Sequence, residues 1–116
     1  NGYLNVWLGT SVENASYVGR VDHLRQIPAV VRFISYEPAL GAIAGFFSLT
    51  GISWVIYGGE SGKGYRQDHT DWARDMRDAC AREGVAFFYK QTSAFKPGQG
   101  DLLDGVRHHN WPTSRF

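Results

Sequence analysis

The chain has little cysteine, little net charge and no long apolar run. Its 116 residues include one cysteine, Cys80, so neither a disulfide nor a cysteine metal site can form within one chain. The formal net charge of +1 does not indicate the basic surface of a nucleic-acid-binding or membrane-binding protein. No apolar run reaches the roughly 18 residues that a membrane helix needs. These absences favour a cytoplasmic globular protein without nucleic-acid or membrane partners.

The composition is sufficient for one folded domain. Apolar residues make up 43% of the chain and charged residues 20%, which is typical of a globular core with a solvated surface. At this length we expect a single α/β domain over residues 1–116, with a polar tail over 93–116. The first residue is Asn1 and no signal peptide is apparent, so we expect a piece of a larger protein.

The clearest feature is an apolar segment that runs into glycines. Residues 54–57 read Trp-Val-Ile-Tyr, and residues 58–62 read Gly-Gly-Glu-Ser-Gly. A short continuous apolar run is typical of a strand buried on both faces, as in a parallel sheet. The glycines mark the end of the strand and allow a close approach of other groups. In parallel α/β folds, ligands bind at this end of the strands.

Three further segments repeat this pattern and are separated by predicted helices. Strands are predicted at 5–12, 30–36 and 85–89, each followed by polar residues. A helix of about three turns is expected before Pro28, and a second one is expected between Thr70 and Gly84. The link over 39–50 is too short for a full crossover helix, so we expect a loop that packs against the core.

The alternation of strands and helices predicts the topology. Strand, helix, strand, link, strand, helix and strand favour a parallel sheet in the order 1-2-3-4. Four such strands make half of a (β/α)₈ barrel, or half of an open partial barrel. The main alternative is an antiparallel hairpin around the short link. An isolated half leaves edges and one sheet face uncovered, so we expect it to need its missing half or to self-associate.

Polar side chains stand at the end of every predicted strand. We predict acid–base or ion-binding roles for Glu13, Glu37, Glu60 and Lys90, and ligand-binding roles for Ser11, Ser35, Gly58, Gly59 and Ser61. If the strands are parallel, these groups converge on one rim, where clustered carboxylates would have raised pKa values unless a cation compensates. Each of them alone could equally be a solvated loop residue, and Lys90 could form a purely structural ion pair.

Other candidate sites have weaker support. Residues 58–64 do not match the phosphate-loop pattern. The histidines at 69, 108 and 109 lack the spacing of a metal site, and we predict no metal ligands among them. Cys80, Trp7 and Trp54 fall on apolar positions and are expected in the core.

Four long motifs occur in an order and spacing that resemble a known family. They are Asn5–Asn14, Arg32–Pro38, Trp54–Gly62 and Phe87–Gln91, with Leu102–Gly105 and Trp111–Pro112 as a closing segment. Together they resemble the carboxyl-terminal half of a phage-associated family of uncharacterised proteins, which is named after mycobacteriophage gene products thirty-seven and sixty-eight.

The resemblance implies a partial (β/α)₆ barrel. The amino-terminal half of that family carries a cysteine cluster similar to the iron–sulfur motif of radical S-adenosylmethionine enzymes. The implied cofactors of the complete protein are therefore S-adenosylmethionine and an iron–sulfur cluster, whereas no cofactor is expected in this chain alone. Glu13, Glu37, Glu60 and Lys90 would line the mouth of the barrel, next to a small polar ligand.

Two other functions stay open. The chain could be a non-catalytic phage or prophage domain that binds a partner, or a cation-dependent hydrolase that uses the strand-end glutamates. A cysteine loop in the preceding sequence would support the radical enzyme. A cation bound among Glu13, Glu37 and Glu60 would support the hydrolase.

Overall fold

In the computed structural model, which describes residues 5–96 and 100–113, the chain forms an open parallel sheet with two helices. The strands are β1 (Trp7–Ser11), β2 (Val31–Tyr36), β3 (Trp54–Gly58) and β4 (Ala86–Gln91), and a hairpin of β5 (Leu102–Leu103) and β6 (Val106–Arg107) follows. The helices are α1 (Gly19–Arg25) and α2 (Thr70–Glu83). The predicted tail over 93–116 lies outside the described residues at 97–99 and 114–116.

The four long strands pair in parallel in the order β1-β2-β3-β4, which confirms the predicted parallel sheet. The link between β2 and β3 therefore does not form the alternative hairpin. Within the described residues the sheet is open and does not close into a barrel. None of the helices in this part of the chain combines the length and apolar character needed to cross a membrane.

The first helix is shorter than its sequence predicts. One turn of 3₁₀ helix over Ala15–Tyr17 precedes α1, and the Asn14 side chain caps it by accepting a hydrogen bond of 2.9 Å from the Ser16 N–H. Helix α1 then has seven residues and buries Val21 and Leu24 against the sheet. The apolar spacing assigns these first residues to the α-helix, but they form the tighter 3₁₀ turn, so the α-helix is shorter.

The link between β2 and β3 packs without a helix, as expected. Ala39, Ile43 and Leu49 are buried in the core there, and Ile52 is almost fully covered. The link is also tied to the sheet, because the Ala39 N–H donates to the Gly58 carbonyl over 2.8 Å. It covers sheet surface that a crossover helix covers elsewhere in such folds.

Helix α2 ends where the sequence predicts. Gly84 has φ +69, and its N–H donates to the Cys80 carbonyl, which is the usual left-handed end of a helix. The helix begins at Thr70, and the cap position before it is His69, whose side chain makes no capping hydrogen bond. The buried face of α2 includes Met76 and Cys80.

One face of the sheet carries the core. Tyr36, Tyr57 and Tyr89 are register partners on three neighbouring strands, and their side chains are almost completely buried. The rings of Tyr36 and Tyr57 meet edge to face at 5.0 Å, and those of Tyr57 and Tyr89 stack at 5.3 Å. Because register partners point the same way, this row lies on the side that packs against the helices and the β2–β3 link.

The opposite side, which we term the open face, is aromatic and partly uncovered. Its sheet residues include Trp7, Phe33, Trp54 and Phe88, and Trp111 of the tail lies on Trp54 at 4.6 Å between ring centroids. Trp54 is 6% exposed, whereas Trp7 is 39% and Trp111 62% exposed. Trp7 was expected in the core; it differs because it lies on the edge strand, where nothing in the described residues covers it fully.

The carboxyl-terminal segment packs back against the sheet. The sequence predicts a polar surface excursion here, but Leu103 is fully buried. Residues 108–110 run antiparallel to the outer edge of β4, with hydrogen bonds from the Tyr89 N–H to His108 and from the Asn110 N–H to Phe87. The turn residue Asp104 accepts hydrogen bonds from Arg74 and Arg77 of α2. Apolar and ionic contacts that are distant in sequence therefore fix this tail.

Candidate functional site

The predicted site residues stand at the carboxyl ends of the strands. Ser11 and Ser35 are register partners on β1 and β2, and Glu37 follows β2 by one residue. Alternation of side chains places Ser35 and Glu37 on the open face. Lys90 lies near the end of β4, and Gly58 ends β3 between them.

The structure brings Ser35, Glu37 and Lys90 together across β3. The Ser35 hydroxyl donates to Glu37 Oε1 over 2.8 Å, and Lys90 Nζ lies 3.2 Å from Glu37 Oε2. These two contacts use one oxygen each, so the carboxylate bridges a hydroxyl and an ammonium group. We call this set of three side chains the rim.

Gly58 makes this contact possible. A Cβ at this position would lie 2.9 Å from Glu37 Oε2, which is closer than real Cβ contacts come. The pairing register also shifts between Tyr57 and Gly58, so that Gly58 faces Gln91 and Lys90 becomes the extra residue. Such irregularities redirect side chains at functional edges. Here the irregularity and the missing side chain let the Glu37 carboxylate and the Lys90 ammonium meet above β3.

The rim is accessible to solvent. The Lys90 side chain is 52% exposed and that of Glu37 26% exposed. An ion pair with this exposure contributes little to stability, because water screens it. Glu37 and Lys90 can therefore break their mutual ion pair and bind the charged groups of a ligand instead.

Glu13 pairs with an arginine and does not belong to the rim. Arg20 of α1 lies 3.3 Å from its carboxylate and also donates to the Ser11 carbonyl over 2.8 Å. The guanidinium group lies over the Tyr17 ring at 4.2 Å. Glu13 thus belongs to an ion pair with α1, and its contacts in the structure do not include Lys90.

Glu60 is also engaged by an arginine. Arg66 donates to both carboxylate oxygens, over 2.9 and 2.7 Å, and the Arg66 backbone N–H donates to Oε1 over 2.8 Å. These hydrogen bonds lower the pKa of Glu60 to about 2. Clustered carboxylates were expected to have raised pKa values unless a cation compensates, and for Glu60 the Arg66 guanidinium is that cation. The contact between Glu60 and Arg66 therefore connects the two ends of the loop that follows β3.

Gly59 and Ser61 connect this loop to the segment after β4. The Gln91 side chain donates to the Gly59 carbonyl over 2.9 Å, and a Cβ on Gly59 would lie 2.3 Å from the Ser93 N–H nitrogen. Ser61 forms an isolated parallel bridge with Ala94. These two residues join two backbone segments, and their role in ligand binding stays a prediction.

Sequence reasoning missed Asp68, a buried carboxylate between Tyr57 and the segment after β4. It accepts hydrogen bonds from the Tyr57 hydroxyl at 2.5 Å, the Thr92 hydroxyl at 2.8 Å and the Ser93 N–H at 2.9 Å. Burial raises the pKa of Asp68, but these hydrogen bonds outweigh it and the net direction is downward. In sequence, Asp68 lies in a polar loop before a helix, so only its distant partners identify it.

The structure does not assemble a metal site from the predicted groups. Within residues 5–96 and 100–113, no set of three His, Cys, Asp or Glu side chains is placed to hold a metal ion. Glu13, Glu37 and Glu60 are all in this part, so the three carboxylates do not converge as ligands. Burial raises the pKa of the Cys80 thiol to about 12, which keeps it protonated.

Comparison with known proteins gives one family. A family model described as a protein of unknown function (DUF5131) matches residues 3–112. No curated protein and no solved structure matches the chain. The match covers almost the entire chain, including every strand, helix and rim residue described above.

Proposed function

Because the chain belongs to the DUF5131 family of proteins of unknown function, we propose that it supplies one half of a (β/α) barrel together with a polar rim that binds a ligand. The observation that carries this proposal is the contact of Ser35 and Lys90 with the Glu37 carboxylate at the carboxyl ends of the strands. This is the end at which parallel α/β proteins bind their ligands.

The half-barrel part of the proposal is supported by how the two faces of the sheet differ. The face with Tyr36, Tyr57 and Tyr89 is covered by helices and by the β2–β3 link. The open face carries apolar and aromatic side chains, as the interior of a barrel does. A complementary set of strands would cover Trp7 and Trp111, which are partly exposed here.

We further propose that the complete protein is a phage-related, radical S-adenosylmethionine-like enzyme in the cytoplasm, on the basis of the sequence motifs. An iron–sulfur cluster does not fit the residues present, because the one thiol, Cys80, is buried and protonated. Such a cluster would need cysteines from elsewhere, and we expect this chain alone to be inactive. S-adenosylmethionine does fit the rim chemically, since Glu37 can accept from its ammonium group and Lys90 can donate to its carboxylate.

The proposal is tested by titrating S-adenosylmethionine into the chain and following backbone amide NMR shifts. We expect shifts that concentrate at Ser35, Gly58 and Lys90. Glu37→Gln and Lys90→Met should each weaken binding by roughly tenfold or more, because a hydrogen bond between charged groups is lost. Glu83→Gln, at the exposed end of α2, is the matched control and should leave the affinity unchanged.

Two results would refute the ligand rim. Shifts that spread evenly over the surface would indicate unspecific contact, and equal affinities of the Glu37, Lys90 and Glu83 variants would show that the rim does not bind the ligand. The folded state of each variant is verified from its amide spectrum before titration.

A second candidate function is a non-catalytic interaction domain, which the exposure of Trp111 and Trp7 on the open face favours. The cation-dependent hydrolase has less support, since Arg20 and Arg66 already neutralise Glu13 and Glu60. In an interaction domain, Glu37→Gln would leave partner binding unchanged, while replacement of Trp111 would abolish it.

A further inference from the structure

We propose that the outer edge of β1 is the place where the sheet is extended, and that the occupant is a strand of the complementary barrel half running parallel to β1. This inference rests on the proposed half barrel and adds the edge, the direction and the backbone groups that the partner uses.

The outer edge of β4 is not available for such a strand. Residues 108–110 already pair with it, through hydrogen bonds of 2.7 Å from the Tyr89 N–H to His108 and 3.2 Å from the Asn110 N–H to Phe87. The Trp54 indole N–H also donates to the Asn110 carbonyl over 2.9 Å. A strand arriving at β4 would have to displace this antiparallel segment.

The edge of β1 presents unpaired backbone groups. The Val6 carbonyl and the Val12 N–H point towards β2, since they bond to Val30 and Ser35. Backbone groups alternate along a strand, so those of Trp7, Gly9 and Ser11 point outwards. Within the described part of the chain, the outward groups of Trp7 and Gly9 have no hydrogen-bond partner. They are the donors and acceptors that an added strand needs.

Arg20 disfavours one competing occupant of this edge, a second copy of the same chain. Its guanidinium donates to the outward carbonyl of Ser11 over 2.8 Å. A second copy pairing with β1 about a two-fold axis at Gly9 would run antiparallel, and its Trp7 N–H would need that same Ser11 carbonyl. Arg20 occupies this acceptor in both copies. A parallel strand can pair with Trp7 and Gly9 and leave Ser11 to Arg20.

The side chains next to β1 indicate which side chains the added strand should carry. An added strand next to β1 places every second side chain on the open face, beside Trp7. Trp7 is 39% exposed and its ring meets those of Trp54 and Trp111 at 6.0 and 6.5 Å. The alternate side chains of the partner should therefore be apolar, so that they extend this aromatic cluster.

The test uses a synthetic peptide with the sequence of residues 31–36, because β2 already pairs in parallel with β1 on its inner side. A nitroxide label at the peptide's amino terminus should broaden the Trp7 amide signal more than that of Ser11. On binding, the Trp7 and Gly9 amides should become protected from hydrogen exchange. Stronger broadening at Ser11 would mean antiparallel pairing, and absence of binding would mean no pairing; either result overturns the inference.

A pair of variants tests the backbone contact. Trp7→Ala and Trp7→Pro both remove the indole, but only proline also removes the outward N–H. We expect the proline variant to bind the peptide roughly fivefold more weakly than the alanine variant, since one hydrogen bond is lost. Equal affinities overturn the inference; if the proline variant does not fold, the label experiment on the natural chain decides.

The edge and the rim can fail separately. The peptide experiment does not involve Glu37 or Lys90, and S-adenosylmethionine titrations do not involve the β1 edge. If the chain binds S-adenosylmethionine at the rim but does not bind the peptide, only the assignment of the β1 edge is refuted.

Discussion

Asp68 carries a negative charge into the interior, where it connects the loop after β3 with the segment after β4. It is 7% exposed and is hydrogen-bonded to Tyr57, Thr92 and Ser93. We expect Asp68→Asn to lower the free energy of unfolding by about 3 kcal/mol, because one charged acceptor serves several buried donors. Urea unfolding measures this, with exposed Asp75→Asn as a control that should change stability by less than about 0.5 kcal/mol. Equal stability of the two variants would contradict the assigned role.

The same residue predicts how stability depends on pH. Its folded-state pKa lies below the unfolded value of about 3.9, so the folded chain binds fewer protons at this site. The stabilisation is therefore complete above that value and is lost as the pH falls through the lower, folded-state pKa. Urea unfolding at a series of pH values should show a steeper acid loss in the natural chain than in Asp68→Asn. Parallel curves would exclude Asp68 as a source of the acid sensitivity.

Gly58 allows a direct test of the rim geometry. In Gly58→Ala, the new Cβ would come within 2.9 Å of Glu37 Oε2. We expect the Glu37 carboxylate to move away from Lys90, which should weaken ligand binding without unfolding the chain. NMR of the Lys90 ammonium group and the ligand titration measure the two effects. Gly19→Ala, where a Cβ meets nothing within 4 Å, is the matched control.

For single residues, the sequence predicts where the site residues lie better than it predicts which residues they contact. It places Ser35, Glu37 and Lys90 at strand ends, because the apolar runs have clear ends. It does not reveal that Arg20 and Arg66 neutralise Glu13 and Glu60, since those arginines lie in a helix and a loop with no distinguishing pattern. The importance of Asp68 depends on residues more than 20 positions away, which local patterns cannot encode.

Among the elements, the tail and α2 are held together by Asp104, which accepts hydrogen bonds from Arg74 and Arg77 over 2.8 and 2.7 Å. These arginines lower the pKa of Asp104 to about 2. We expect Asp104→Asn to loosen the tail, with several-fold faster hydrogen exchange at the Tyr89 and Asn110 amides. Asparagine tolerates the φ of +51 at this position, so the turn itself should persist.

The control for this change is Asp78→Asn. Asp78 also pairs with Arg77, over 2.9 Å, but this ion pair lies within α2. Exchange at Tyr89 and Asn110 should therefore stay as in the natural chain. If both variants behave alike, the tail is held by Leu103 and the backbone pairing with β4 and not by Asp104.

The elements themselves follow closely from the sequence where the pattern is strong. All four strands and the end of α2 at Gly84 agree with the prediction, because apolar runs and a left-handed glycine are local signals. The hairpin of β5 and β6 was not predicted, since two-residue strands carry no periodicity. The short α1 depends on the 3₁₀ turn that Asn14 caps, and apolar spacing does not distinguish the two helix types.

For the molecule as a whole, the open face is the sheet surface with exposed aromatic side chains. Trp7 and Trp111 are 39% and 62% exposed there, next to one another. Apolar area of this kind drives association, and Arg20 disfavours direct pairing of two β1 edges. An isolated chain should therefore self-associate through the open face at high concentration.

Sedimentation velocity over a range of concentrations tests this expectation. Trp7→Gln should shift the onset of association to higher concentration, since it removes apolar area from the open face. Phe46→Gln removes a more exposed aromatic ring, 61% uncovered against 39% for Trp7, from the link between β2 and β3, and should leave association unchanged. If the natural chain stays monomeric at every concentration, or if Phe46→Gln has the larger effect, the open face is not an assembly surface. The half-barrel proposal would then lose the feature that calls for a complementary half.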